Sequence, residues 1–246
     1  MNKEWFNEWF DSPYYHILYK NHDDDDARRV VDALLETLHL PPHARIMDLA
    51  CGKGRHARYL AEKGFEVTGL DISPASILFA RQFEQDGLTF FQHDMRLPFR
   101  INYYDAVMNM FTSFGYFEHD SDHLKTLKNI AKGLKMNGLF LLDYFNSIWV
   151  KAHMEEASVK TVEGIEFHMS RRIENGHVYK TVAFEAEGKS YKFQERVRLF
   201  ELEDFRLLLD KVGMTITQTF GDYGLTPFDA SGSKRLILVA QKTRIA

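Results

Sequence analysis

The stretch "IMDLACGKGRHARYL", residues 46–60, decides the fold: an apolar run ends in an acid, turns through two glycines and enters a helical pattern. Glycine at a strand-to-helix turn lets the backbone approach a ligand closely. The helix N-terminus behind it offers unpaired N–H groups to an anion. Gly52, Gly54 and Ala57 satisfy G-x-G-x-x-G/A, and Asp71 closes the next apolar run 19 positions after Gly52. That is where a ribose-binding acid belongs, so this stretch alone supports a dinucleotide site.

Strands and helices alternate outward from the loop. Strands are expected at 45–49, 66–70, 89–92, 105–110 and 139–144, and helices at 56–63, 74–85 and 122–134. Short connections between alternating elements mean an α/β fold with parallel strands and crossover helices. Upstream, Ala27, Val30, Val31, Leu34, Leu35 and Leu38 form one helical stripe, with acids in its first turn and Pro41-Pro42 after its end. Past residue 158 the period becomes two: Ile165, Phe167, Met169 and Ile173 alternate with polar residues, and Asn175-Gly176 marks a hairpin. A three-stranded antiparallel meander is therefore expected at 158–200. A helix from Leu202 to Gly213 and strands at 214–220 and 235–240 complete one domain, 1–246. Residues 1–40 read as an N-terminal helical lid whose aromatic start includes Trp5, Phe6, Trp9, Phe10, Tyr14, Tyr15 and Tyr19.

Two acids argue against a pyrophosphate ligand. Asp48 ends the first strand four positions before Gly52, where it would repel phosphates and suit a cationic group. Asp94, in "FFQHDMR", follows the third strand and is placed to accept a hydrogen bond from an adenine amino group. Asp48, the glycine loop, Asp71 and Asp94 thus follow one another at strand C-terminal ends, the edge where open α/β sheets bind ligands.

The set "DLACGKGRH", "VTGLDIS", "HDMR" and "YDAVMNMFTSFGYF" resembles the ordered cofactor motifs of class I methyltransferases that use S-adenosylmethionine (SAM). It is most similar to bacterial small-molecule methyltransferases with a β insertion before the last helix. The resemblance implies a Rossmann-like seven-stranded sheet, mostly parallel with the last strand antiparallel. It implies SAM as methyl donor, S-adenosylhomocysteine as product, and no metal. It places Ala50, Cys51, Gly52 and Gly54 in the loop under the methionine part, Asp48 near the ammonium, and His56 lining the site. Asp71 would accept the ribose hydroxyls, with Ile72 against the adenine. Asp94 would read the amino group beside Met95. Asn109 and Met110 would border the methyl, and Tyr19 would join the cofactor set from the lid.

A sulfonium methyl is already activated, so alignment matters more than a compulsory triad. Tyr116 and Asn146 face the same crevice and are the candidates to orient or deprotonate an acceptor, against packed-aromatic and turn-forming roles. The fourth strand's end lacks the N/D-P-P-aromatic sequence that resembles base amino-methylation. With a formal charge of −4, this points to a small-molecule acceptor and away from nucleic acid or anionic membrane. The acidic start lacks the basic and apolar parts of a secretory signal, no apolar run could span a bilayer, and Cys51 is the single cysteine, so a cytoplasmic enzyme is the simplest expectation. Asp23–Asp26 and His119/His123 read as solvated helix starts rather than metal ligands. The meander could cover the crevice or form a homodimer contact. The rival readings are an NAD-dependent oxidoreductase and a SAM-binding regulator without turnover.

Overall fold

In the computed structural model, residues 4–19 and 24–245 are described, with only the backbone for 24–27 and 29. Asp23 and the side chains of Asp24, Asp25 and Asp26 therefore lie outside the described residues. The elements are α1 (Trp5–Trp9), α2 (Pro13–Leu18), α3 (Asp24–Leu38), β1 (Arg45–Leu49), α4 (Arg55–Glu62), β2 (Glu66–Asp71), α5 (Pro74–Ala80), β3 (Leu88–Gln92), β4 (Tyr104–Asn109), α6 (Asp120–Gly133), β5 (Leu134–Phe145), α7 (Ser147–His153), β6 (Ala157–Val162), β7 (Ile165–Glu174), β8 (His177–Ala186), β9 (Lys189–Arg198), α8 (Leu202–Asp210), β10 (Met214–Phe220) and β11 (Arg235–Lys242).

The main sheet runs β10-β11-β5-β4-β1-β2-β3. Neighbours from β5 to β3 are parallel, while β11 is antiparallel to both β5 and β10. The inner parallel strands β1, β2 and β4 are buried on both faces, which is why their sequences are nearly continuous in apolar residues, while the edge strand β3 alternates. On one face, Val30, Val31 and Leu34 of α3, Leu60 of α4 and Ile77 of α5 pack against Ile46, Val67 and Met108. On the other, Leu127 and Ile130 of α6 and Phe205 and Leu209 of α8 pack against Met47, Val107 and Phe140. The β1–β2 register pairs Asp48 with Gly69 and Leu49 with Leu70, which brings both strand ends and their loops to one edge.

The insertion is a separate sheet, β6-β7-β8-β9, of four strands rather than three. The added strand, β6, is an exposed edge whose "ASVKTV" carries little apolar signal. Phe167 and Met169 of β7 and Val182 and Phe184 of β8 bury an apolar face against Trp9 and Leu18. The N-terminal helices and the insertion thus share a core and form one roof. Helix α7 was also not evident in the sequence; it starts where Asn146 Oδ1 accepts from Ile148 N. Among the described residues, no helix is long and apolar enough to cross a membrane.

Candidate active site

The glycine loop leaves β1 through a strained turn. Ala50, Gly52 and Gly54 have φ of 62°, 55° and 79°. Only the glycines adopt this region without a steric penalty, and a non-glycine held there marks an over-determined segment. The two glycines serve different ends. A Cβ on Gly52 would meet nothing within 4 Å, and Gly52 lines the cavity described below. A Cβ on Gly54 would lie 2.6 Å from the Phe90 ring. Gly54 does not line the cavity; it allows α4 to close on β3. Gly54 thus has a packing role in the loop.

Three acids meet at this edge in different states. Asp71 Oδ2 accepts from Gly52 N at 2.8 Å, and Oδ1 accepts from Ser73 N at 2.8 Å. This carboxylate shapes the loop itself, and burial raises its pKa. Asp48 is 2% exposed, and its Oδ2 has no hydrogen-bond partner among the described residues. Burial, and then repulsion from Asp71, push Asp48 up to about 7. Asp94 is gripped by Arg96: its Oδ1 accepts from Arg96 N at 2.8 Å and Nε at 3.0 Å, and its Oδ2 from Nη2 at 2.6 Å.

These residues surround one crevice with two lobes. The smaller, about 120 Å³, is lined by Asp71, Ile72, Asp94, Met95, His93 and Phe117. The larger, about 930 Å³, is lined by Asp48, Cys51, His56 and Met110 and extends under the roof to Tyr19, Trp149, Arg171, Lys180 and Glu195. Phe10, Tyr15, His16, Ala50, Gly52, Ser113 and Tyr116 line both and mark the junction. Tyr116 is half-buried, its ring 5.3 Å from those of Trp5 and Phe10. Burial holds its pKa well above 10, so the hydroxyl keeps its proton. His16 Nε2 is buried without a partner among the described residues, and burial, with Lys53 nearby, lowers the imidazole to about 4.

The loop after β4 is held from behind. Phe111 and Thr112 have φ of 56° and 61°. Fully buried Asp143 accepts from Phe111 N at 2.8 Å, Tyr223 Oη at 2.9 Å, and Arg235 Nη2 at 2.6 Å. Such a charged pair is strong only because its remaining sites are filled. The roof is tied on through Glu195 of β9. It accepts from Trp9 Nε1 at 2.7 Å and Tyr19 Oη at 2.9 Å, and Lys180 Nζ, itself bonded to Tyr19 Oη, lies 3.8 Å away.

Besides Gly54, two expected site residues, Asn146 and Asn109, stand outside the crevice lining. Asn146 spends both amide hydrogens, donating to Ala230 O and Ser233 O at 2.8 Å each, while its Oδ1 caps α7. It has no donor left to offer a substrate. Asn109 is fully buried and donates to Leu49 O at 2.9 Å, tying β4 to β1 behind the glycine loop. Cys51 is buried and its thiol is raised by burial, as a packed residue would be. His123 lies in the core against Phe114, Phe117 and Phe200. Sequence reading did not single out His16, Ser113, Lys180 or Glu195. The aromatic run before His16 was the one available hint; the β9 and β8 residues reach the crevice only through tertiary packing.

A family model described as a methyltransferase domain matches residues 46–138. A relative in Bacillus subtilis (strain 168), "Putative methyltransferase YqeM", is 30% identical over 215 residues, covering 83% of this chain and 87% of that protein. This chain belongs to the SAM-dependent methyltransferases. Another relative of this methyltransferase is the Streptomyces fradiae dTDP-3-amino-3,6-dideoxy-alpha-D-glucopyranose N,N-dimethyltransferase, 27% identical over 215 residues, with 82% of each chain covered. The solved SAM-bound structure of CalS10, an amino pentose methyltransferase from Micromonospora echinaspora, shares the fold: TM-score 0.70 at 19% identity, covering 94% of this chain and 98% of that one. The methyltransferase therefore carries the seven-stranded sheet of its family and transfers a methyl group from SAM to a small-molecule acceptor.

Proposed function

We propose that the enzyme holds SAM across the two lobes and methylates the nitrogen of a small polar amine that enters through the larger lobe. The observation that carries the cofactor placement is Asp48 Oδ2, a buried carboxylate oxygen without a partner among the described residues in a crevice whose other lobe is lined by Asp71, Ile72, Asp94 and Met95. A buried charge demands a cationic partner, and the SAM ammonium is one. Each Asp71 oxygen spends one acceptor direction on a backbone N–H and keeps another for a ribose hydroxyl. Ile72 and Met95 flank the adenine and Asp94 takes its amino group. Ala50, Cys51, Gly52, His56, Met110 and Tyr19 wall the methionine part, and Asn109 supports the loop from behind.

Bound SAM supplies an activated methyl on a sulfonium. The chain's part is alignment and exclusion of water by the roof. Tyr116, fixed in its protonated form, orients the acceptor as a donor rather than deprotonating it. His16, neutral at pH 7, lines the junction and is the residue to accept a hydrogen bond from the amine. The nitrogen assignment is supported by the printed name of the Streptomyces fradiae relative, an N,N-dimethyltransferase of an amino sugar. Incubation with SAM and a panel of aminosugars, amino acids and matched hydroxyl analogues, read by N-methyl signals in NMR, tests it. Methyl appearing on nitrogen is expected; methyl appearing only on oxygen or sulfur would overturn the amine reading.

A further inference from the structure

One side chain joins the adenine end of the crevice to the roof. Arg96 Nη1 donates to Glu4 Oε1 at 2.8 Å and Nη2 to Glu4 Oε2 at 2.6 Å, a two-pronged grip on the residue that precedes α1. The other edge of the same guanidinium grips Asp94 through Nε and Nη2. The plane lies over Phe117 at 5.0 Å and Phe6 at 5.8 Å, so it is clamped between the strand edge and the lid. We propose that Arg96 is a positioning residue for base recognition: it fixes Asp94 as an acceptor-only carboxylate, and through Glu4 it makes closure of the N-terminal segment part of the same event.

This rests on the sulfur-nucleoside placement above. An ionised carboxylate has acceptors and no donor. It welcomes the adenine amino group and repels an oxo group at the same position. Burial works against the charge on Asp94, and Arg96 outweighs it, holding the carboxyl below its ordinary value. Without the fork, Asp94 is free to rotate or to take a proton, and a protonated carboxyl can donate to an oxo group.

The test compares S-adenosylhomocysteine with S-inosylhomocysteine, which carries oxygen in place of the amino group, by calorimetry on the full chain. The wild type is expected to prefer the adenine form by at least ~10-fold, the size of one charge-assisted hydrogen bond. Arg96→Gln should bring that ratio close to one, and Arg96→Lys, which keeps charge and stem but not the fork, should give an intermediate ratio. Glu4→Gln should keep most of the preference and release S-adenosylhomocysteine several-fold faster, followed by the fluorescence of Trp5 and Trp9. A folded Arg96→Gln or Arg96→Lys protein with the wild-type ratio would overturn the proposal. Failure of the wild type to bind S-adenosylhomocysteine would instead remove the cofactor placement beneath it.

Discussion

Asp48 and Asp71 end adjacent strands in opposite states: both oxygens of Asp71 accept backbone N–H groups, while Asp48 Oδ2 is buried with no partner among the described residues. Asp71 builds the loop, and Asp48 is the acid proposed to take a cation. The separation explains how one strand edge provides both rigidity and an incomplete electrostatic site.

The Asp48 state has a pH signature. Its folded pKa, about 7, lies above the ordinary 3.8. A carboxyl raised on folding is harmless below the lower value and increasingly unfavourable as pH rises between the two, with no further change above about 7. The full shift corresponds to about 4 kcal/mol at most. Asp48→Asn should therefore match the wild type in stability near pH 4 and exceed it by up to that amount at pH 8, while binding S-adenosylhomocysteine more weakly. Denaturant melts at both pH values check it. A pH-independent difference would contradict the orphan-charge account.

The two loop glycines should separate function from folding. Gly52→Val adds a side chain at φ +55° into open crevice, so it should abolish nucleoside binding for roughly 1–2 kcal/mol of backbone strain. Gly54→Ala should lower stability more, because its Cβ meets Phe90 at 2.6 Å. Thermal melts and calorimetry on both variants give the comparison; equal effects on binding and stability would show that the loop acts as one piece.

Asp71→Ala removes the partner of Gly52 N and Ser73 N together with the proposed ribose contact. Binding of S-adenosylhomocysteine should weaken by about 1–3 kcal/mol, accompanied by a loss of stability, since two buried donors are stranded. Asp71→Asn should recover part of both. Unchanged affinity in Asp71→Ala would remove the ribose role.

Asn146 gives the converse case. Asn146→Ala should cost about 1 kcal/mol of stability through the lost α7 cap and leave nucleoside affinity unchanged. A large drop in affinity would restore it to the site.

Asp143→Ala strips the buried partner from Arg235, Tyr223 and the Phe111 N–H. A loss of about 3–5 kcal/mol is expected, with the strained Phe111–Thr112 turn released. Hydrogen exchange at residues 110–113 should rise more than at β1; uniform exchange would show that Asp143 serves global packing only.

Much of this was legible because it is local. Continuous apolar runs and glycine punctuation located the parallel strands, and the ordered acids followed from their positions at strand ends. For Asn109 and Asn146, sequence shows that an amide sits at a strand end, not that its hydrogens go to Leu49 O or to Ala230 and Ser233. The packing of Gly54 on Phe90 was not legible because Phe90 is two strands away in the sheet. The acceptor lobe was least legible: Trp9 and Glu195 are 186 residues apart, and neither position carries a motif. Strand β6 escaped because its alternation is written in Ala, Ser and Lys rather than in large apolar residues.

The central claim is that the crevice beneath the roof is a sulfur-nucleoside site with a cation-seeking carboxylate. Calorimetric titration of the full chain with S-adenosylhomocysteine, SAM and NAD in parallel tests it most directly. Saturable, one-to-one binding of both sulfur nucleosides is expected, with no heat from NAD. Binding of NAD without either sulfur nucleoside would contradict it and return Asp48 and Asp94 to purely structural roles.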